Sequence, residues 1–308
     1  MPTFDVYIAR LSDAVTSGTL RVYETYWNRV RDIWGHRRLD EPTALEIQQL
    51  AEKTKRMVVV RRNARGGRVA AEHMISALRC LYRFAVADGL IPARDNPAIR
   101  VPKPRRQPNS RRALLDAQLA QINTVACSTG NDRDLDSLLL RLHVETACRR
   151  GGALALRPVD LDHEQCLIRL HEKGETDRWQ PVSPTLMRHM LQHSSDRGHH
   201  GAHDQLLRYR TGQPITRRRY DHLWHRIGEH LPWVTTQQIS THWLRYTTLT
   251  WVERHFGYAV ARAYAGHNGR TEFGTTATYV RADLYEVAHA LAALSGETHP
   301  LASEPVAA

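Results

Sequence analysis

Four prolines lie between residues 96 and 112, and this segment constrains the fold of the chain more than any other feature. They are Pro97, Pro102, Pro104 and Pro108, and the basic residues among them are Arg100, Lys103, Arg105, Arg106, Arg111 and Arg112. Because proline fixes φ and removes a backbone donor, we expect an extended segment here. The pattern predicts an interdomain linker at 96–112 between a domain at 1–95 and a second domain at 113–308, although an ordinary hinge would have the same composition.

The first domain has helical patterning along its whole length. Apolar residues recur there at three- and four-residue steps, as they do on the buried face of a helix. The predicted helices lie at residues 4–15, after a cap at Thr19, after Pro42-Thr43, and at about 69–87. Four helices with short connections predict an all-α domain.

The second domain is predicted to be mixed but mostly helical. Two short strands, at 166–171 and 178–182, flank a turn at Lys173-Gly174-Glu175. Helices are predicted at about residues 116–126, 135–147, 185–193, 216–230, 242–255, 258–265 and 283–295. The fold class of the chain is therefore mainly α, with a small antiparallel β-hairpin in the second domain.

A candidate anion site begins at Ser240. This residue is a plausible N-cap, so His242 and Arg245 fall in the first turns of a helix and share a face. The helix N-terminus adds partial positive charge and free N–H groups, and the guanidinium of Arg245 is a two-pronged donor for phosphate oxygens. We therefore expect a phosphate to bind here.

Five motifs in one order resemble the tyrosine recombinases, the phage-integrase family. They are Thr146-Ala147-Cys148-Arg149, Lys173-Gly174 ahead of Arg178-x-x-Pro181-Val182, His242-x-x-Arg245, Ala265-Gly266-His267 and Tyr279-Val280-Arg281. The resemblance covers nearly the whole chain and implies a site-specific recombinase with six catalytic residues: Arg149, Lys173, His242, Arg245, His267 and Tyr279. It departs from the family at Gly152, where an acidic residue usually follows the first arginine by three positions.

The resemblance also implies a role for each catalytic residue. Tyr279 attacks a DNA phosphate and forms a 3′-phosphotyrosyl bond, and His242 accepts the proton of its phenol. Arg149 and Arg245 stabilise the charge that grows on the phosphate, with His267 as a further donor. Lys173 protonates the departing 5′-oxygen. The reaction needs no cofactor and no metal. Tyr258, Tyr264 and Tyr285 are rival nucleophiles.

Nucleic acid is the partner that the charge favours. Lys and Arg outnumber Asp and Glu by 43 to 32, which gives a formal charge of +11. The candidate DNA contacts are Arg61, Arg62, Arg65, Arg68, Lys103, Arg105, Arg106, Arg217, Arg218 and Arg219. Each could instead be a solvated surface residue, and a merely basic enzyme would have a similar charge.

The resemblance implies double-stranded DNA with inverted half-sites as the substrate and a homotetramer on two such sites. An apolar face at residues 283–295 is expected to dock on the neighbouring protomer, although docking on its own domain is the simpler possibility. Two other functions stay open. One is a DNA-binding protein of recombinase ancestry that no longer cuts, and the other is a type IB topoisomerase.

Other features favour a cytoplasmic, nucleoid-associated protein that contains no metal and contacts no membrane. The N-terminus does not resemble a signal peptide, and no apolar run is long enough to span a bilayer. The four cysteines show no CxxC pair and are predicted to be reduced packing residues. His189 and His193 are spaced for a metal, but no carboxylate or cysteine completes a ligand set.

Overall fold

A computed structural model describes residues 1–58, 65–105, 111–172, 176–198, 201–267 and 282–302. The side chains of Arg65 and Thr176 lie outside this description. The chain divides into two compact units, Met1–Asn109 and Ser110–Ala308.

In the described part of the first unit there are four α-helices: α1 (Phe4–Ala14), α2 (Ser17–Trp34), α3 (Ala44–Arg56) and α4 (Arg68–Ala87). They bury one core that includes Trp27, Ile47 and Tyr82. The cap of α2 differs from the prediction, because the hydroxyl of Thr16 accepts a hydrogen bond from the backbone of Thr19 and the helix begins at Ser17. Thr43 is the N-cap of α3, where the sequence predicts the start of a helix, and it forms a capping box with Glu46.

The predicted extended segment is not extended at its start. Pro97–Arg100 forms a 3₁₀ helix, in which proline is tolerated at the first position. Ala98 and Val101 are buried in the core of the first unit. The guanidinium of Arg79 donates to the carbonyls of Ala98 at 3.2 Å and Val101 at 2.8 Å. These contacts attach residues 97–101 to the first unit, a long-range effect that proline spacing does not reveal.

The second unit contains eight α-helices among the described residues, with one three-stranded sheet. The helices are α5 (Asp116–Ser128), α6 (Arg133–Thr146), α7 (Arg150–Ala155), α8 (Pro184–Asp196), α9 (Arg217–His230), α10 (Pro232–Gln237), α11 (Thr241–Tyr264) and α12 (Leu284–Ser295). The strands are β1 (Leu161–Asp162), β2 (Leu167–Glu172) and β3 (Thr176–Pro181), antiparallel in that order.

Most of these elements are the predicted ones. The mainly helical class with a small antiparallel sheet is confirmed. The sequence misses α7, α10 and β1, which have two to six residues and are too short to show a period. Gly257 (φ 83°) breaks the helical geometry inside α11, between the two helices that the sequence predicts there.

The apolar face of α12 packs on its own chain. Val287, Ala290 and Leu291 are buried in a cluster with Val252 and Tyr264 of α11. The helix follows the N-cap residue Asp283, at the start of the predicted range 283–295, and Asp283 forms a capping box with Glu286. Within one chain, α11 covers this face, which is the simpler of the two possibilities. Docking on a neighbouring protomer stays a prediction.

We expect Leu291→Asp to lower the free energy of unfolding by about 3 to 5 kcal/mol, since it leaves a carboxylate without a partner in an apolar cluster. Ala293→Asp, on the exposed side of the same helix, should change it by no more than about 0.5 kcal/mol. Urea denaturation of both variants measures the difference. A Leu291→Asp protein as stable as wild type would mean that α12 does not pack here in solution.

The remaining predictions concern cysteines, metals and membranes. Cys80, Cys148 and Cys166 are buried, but Cys127 is exposed, so the prediction of a packing role is wrong for it.

His193 is buried, and its Nε2 accepts a hydrogen bond from the backbone N–H of Arg208 at 3.1 Å. Within the described ranges, no three His, Cys, Asp or Glu residues are grouped as metal ligands. No helix in those ranges is long and apolar enough to cross a membrane.

Candidate active site

The site is built around the loop that follows α6. Ala147 ends this helix in the left-handed conformation (φ 48°) and is fully buried, and Arg149 is the N-cap of α7. Buried His143 fixes the loop from below, with its Nδ1 3.1 Å from the carbonyl of Cys148 and its Nε2 3.0 Å from the hydroxyl of Tyr220. Burial lowers the pKa of His143 to about 4, so this histidine is neutral and serves packing.

Arg245 joins that loop to the end of α11. Its guanidinium donates to the carbonyl of Ala147 and, at 2.8 Å, to the carbonyl of Ala265. Burial leaves 5% of Arg245 exposed. Desolvation, and then the neighbouring charges of Arg149 and Arg178, lowers the pKa of Arg245. Two backbone carbonyls therefore hold one cation firmly inside a positively charged site.

Glu172, the last residue of β2, is the carboxylate that faces Arg149. The two side chains form an ion pair, and the Oε1 atom of Glu172 also accepts from the backbone N–H of Arg149 at 3.4 Å. Only 2% of the Glu172 side chain is exposed, whereas 39% of the Arg149 side chain is. Arg149 is thus anchored by Glu172, and the rest of its side chain is open to solvent.

A third arginine, Arg178 on β3, lies on the buried side of the site, near Glu172. Its Nη2 is 3.7 Å from Oε1 of Glu172 and 3.4 Å from the carbonyl of Thr146. It passes so close to Gly266 that a Cβ atom there would collide with its Nε and Cδ. Gly266 also has a positive φ of 67°, so both its backbone and its surroundings require glycine.

His242 and His267 lie at the exposed edge of the same site. Desolvation, followed by the charges of Arg111, Arg245 and Arg149, lowers the pKa of His242. Desolvation and the charges of Arg245, Arg149, Arg262 and Arg178 lower that of His267. Both imidazoles therefore share one cationic environment, which favours their neutral form.

The cap of α11 differs in detail from the expectation. Ser240 is the N-cap residue, but its side chain makes no capping hydrogen bond. The structure thus brings together Arg149, His242, Arg245 and His267 of the six predicted catalytic residues. Lys173 and Tyr279 lie outside the described residues.

The described part of the chain does bear on the rival tyrosines. Tyr264 is fully buried and its hydroxyl donates to the carbonyl of Glu145. Burial raises its pKa, so Tyr264 cannot reach a phosphate or ionise easily. Tyr258 and Tyr285 are 59% and 44% exposed, so exposure alone does not exclude them.

The candidate DNA contacts fall into three groups. Five are exposed in the structure: Arg68, Lys103, Arg105, Arg217 and Arg218. Four have side chains outside the described residues: Arg61, Arg62, Arg65 and Arg106. The prediction is wrong for Arg219, which is 5% exposed and pairs with Asp136 at 2.6 Å. The helical turn of α9 directs this third arginine of the triplet inward.

Sequence reasoning missed Glu172 and did not give Arg178 a place in the site. A signal for Glu172 exists in the alternation of β2, where Ile168, Leu170 and Glu172 fall on one buried face. A carboxylate at the end of such a face needs a cationic partner. The partner itself cannot be read from the sequence, because it lies on another element.

Comparisons with known proteins agree on one family. A sequence model of the phage integrase family matches residues 112–284, more than half of the chain. Tyrosine recombinase XerD of Mycobacterium leprae is 35% identical over 118 residues, which span 37% of each chain. Tyrosine recombinase XerC of Chlamydia trachomatis serovar L2 is 25% identical over 235 residues, or 73% of this chain and 70% of that protein. The match to XerD thus spans little more than a third of that relative.

Solved structures share the fold at low identity. A lambda integrase dimer bound to a COC′ core site superimposes with a TM-score of 0.65 at 15% identity, over 89% of this chain and all of that one. Lambda integrase as a tetramer on a Holliday junction gives 0.65 at 16%, over 89% and 80% of the two chains. The Tn1549 transposon integrase with transposon right-end DNA gives 0.66 at 14%, over 90% and 97%.

Proposed function

The chain belongs to the phage integrase family and is a tyrosine recombinase, and from that premise we propose that it cleaves and rejoins DNA at specific sites through a 3′-phosphotyrosyl intermediate. One observation carries the proposal. Arg149 and Arg245 converge with His242 and His267 on a cationic site whose carbonyl and carboxylate anchors exist before any substrate binds. Such a preorganised set of donors is what a phosphodiester under attack requires.

In the proposed reaction, Tyr279 is the nucleophile and His242 takes its proton. A free phenol has a pKa of about 10 and needs a base at neutral pH. The lowered pKa of His242 favours its unprotonated imidazole, the form that can act as that base. Arg245, held by two carbonyls, and Arg149, open to solvent, bind the non-bridging oxygens as their charge grows. His267 donates a further hydrogen bond.

Lys173 completes the proposal as the acid that protonates the 5′-oxygen. It follows Glu172, so the last described residue of β2 leads into it. The phosphotyrosyl bond keeps about the energy of the diester, and a DNA 5′-hydroxyl can reverse the attack. Strand exchange therefore needs no cofactor.

We propose that double-stranded DNA with inverted half-sites is the substrate and that four copies of the chain act on two sites. The support is that lambda integrase, which shares the fold, forms a dimer on its core site and a tetramer on a Holliday junction. Exposed Arg217 and Arg218 begin α9, where cationic side chains and helix N–H groups suit phosphates. Arg68, Lys103 and Arg105 are further proposed contacts. Because the proposed substrate is DNA, we also propose that the protein acts in the cytoplasm with the nucleoid.

The experiment that tests this function uses the full chain and the DNA that flanks its own gene. We expect a covalent protein–DNA adduct whose position defines the cleavage site, and mass spectrometry should map it to Tyr279. A protein that binds this DNA but yields no adduct is a DNA-binding protein that does not cut. Relaxation of supercoiled DNA without sequence preference would instead indicate a type IB topoisomerase.

Lys173→Ala should slow cleavage of ordinary DNA by about 100- to 10,000-fold, the usual contribution of a general acid. A 5′-bridging phosphorothiolate should restore the rate, because a thiolate leaves without a proton. Single-turnover cleavage of the two substrates measures the ratio. Equal impairment on both would remove Lys173 from this role.

The acid limb of cleavage should lie below pH 6.5. A lowered pKa in the folded protein means that His242 stays unprotonated down to its own pKa and loses its function as a base only below it. Second-order cleavage rates, which report the free enzyme, should therefore be level from pH 8 to about 6.5 and fall below that. His267→Gln should lower the rate but keep the midpoint. A midpoint above 6.5 would contradict the assignment.

A further inference from the structure

Glu172 lies between two arginines at the base of the β-hairpin. It forms an ion pair with Arg149 and lies 3.7 Å from Nη2 of Arg178. Its side chain is almost fully buried, and a buried carboxylate is costly unless cations and donors surround it. A buried ion pair is weak evidence for stability, but it holds the groups that form it in one arrangement.

Gly152 has no side chain, and this leaves room for the carboxylate of Glu172. A Cβ atom on Gly152 would lie 3.8 Å from Cγ and 3.9 Å from Oε1 of Glu172. These are ordinary van der Waals distances, so a carboxylate carried by a longer side chain at position 152 would lie beside this one. The two positions adjoin the same part of the site, next to the backbone of Arg149.

Gly152 is also the third residue of α7, and Arg149 is the N-cap of that helix. In a capping box, a Glu at the third position accepts from the backbone N–H of the N-cap residue. Here Oε1 of Glu172 accepts from that N–H at 3.4 Å, so a strand residue supplies the acceptor that the helix lacks.

We propose that Glu172 is the positioning residue of the arginine clamp, the pair Arg149 and Arg245 that would bind the phosphate. Glu172 replaces a carboxylate at position 152 and fixes both the backbone and the guanidinium of Arg149 for phosphate binding. The inference rests on the proposed function. Glu172 itself does not touch the phosphate, because Arg149 lies between it and the open side of the site. Without it, Arg149 would lose its anchor and face Arg178 and Arg245 with no counter-charge.

Glu172→Gln keeps the volume and a neutral acceptor but removes the charge. With the full chain and the DNA site mapped by the wild-type adduct, we expect unchanged DNA affinity and adduct formation slower by roughly 10- to 100-fold, the range seen when partners that orient metal ligands are removed. Glu145→Gln is the control, since Glu145 is also buried and paired with an arginine, Arg141. That variant should form the adduct at nearly the wild-type rate.

A second substrate separates positioning of the arginine from general damage. A methylphosphonate at the cleaved position lacks one charged oxygen and depends less on the clamp. The defect of Glu172→Gln should therefore shrink on it. A wild-type rate for Glu172→Gln on ordinary DNA, or the same defect on both substrates, would overturn the proposal. If wild-type protein forms no adduct at all, it is the proposed function that fails.

The reciprocal variant Gly152→Glu with Glu172→Gly moves the carboxylate to the helix. We expect it to recover most of the activity that Glu172→Gln loses, which a purely structural role of Glu172 in the hairpin would not allow. It also decides the case if Glu172→Gln does not fold. Folding with adduct formation in the double variant supports the proposal, and any lesser outcome overturns it.

Discussion

Tyr279→Phe should bind the target DNA as tightly as wild-type protein and form no covalent adduct. The substitution removes one oxygen atom and leaves the cationic site of Arg149 and Arg245 complete, so binding should persist while the nucleophile is absent. Gel shift measures the first expectation, and denaturing electrophoresis of the protein with cleavable DNA measures the second. Adduct formation by Tyr279→Phe should fall below the detection limit of the assay.

The rival tyrosines provide matched controls for this variant. Tyr285→Phe and Tyr258→Phe remove the same atom from two other exposed tyrosines and should leave adduct formation near the wild-type rate. Tyr264 is less suitable, because its hydroxyl donates to a buried carbonyl of α6 and its loss would disturb the fold. If the adduct persists in Tyr279→Phe but disappears in one of the controls, the nucleophile is the tyrosine that was changed in that control and not Tyr279.

Arg149→Ala should reduce the rate of adduct formation by about 100- to 1,000-fold, as the loss of one transition-state donor typically does. Its effect on DNA affinity should be small, because the proposed contacts with the DNA backbone include many other cations. The substitution also leaves the carboxylate of Glu172 buried without its main partner, so thermal stability should fall as well. Single-turnover kinetics and thermal denaturation report the two effects separately.

Arg150→Ala is the matched control. Arg150 is the next residue, its side chain has the same exposed fraction of 39%, and it pairs with Asp221 on the protein surface. Surface ion pairs contribute little, so this variant should keep nearly full stability and activity. Equal loss in both variants would mean that the rate depends on local charge and not on the position of Arg149.

The sequence predicts those parts of the site that lie within short motifs. His242 and Arg245 share a turn of α11, and their spacing alone places them together. The arginine after α6 and the strands around Lys173 are local patterns of the same kind. The helices of both units follow from apolar periodicity, which is strongest in long elements.

Contacts between distant elements could not be predicted. Three adjacent arginines at 217–219 form one charge patch in the sequence, yet packing against α6 turns Arg219 inward to Asp136. The apolar face of α12 requires a partner, but periodicity does not say which chain provides it. Likewise, Gly152 indicates a missing carboxylate, and only the contact of Glu172 with the backbone of Arg149, close to Gly152, points to Glu172 as its replacement.

The proximity of positions 152 and 172 has a consequence for the history of this site. Carboxylates at both positions would repel each other, because Cβ of one residue and Cγ of the other would be 3.8 Å apart, and the loss of both would leave the arginine without an anchor. Lineages should therefore exchange the acid between the helix and the strand as a linked pair of changes. A search that demands an acidic residue after the first arginine would discard such members as inactive, whereas a criterion that accepts the carboxylate from either element would keep them.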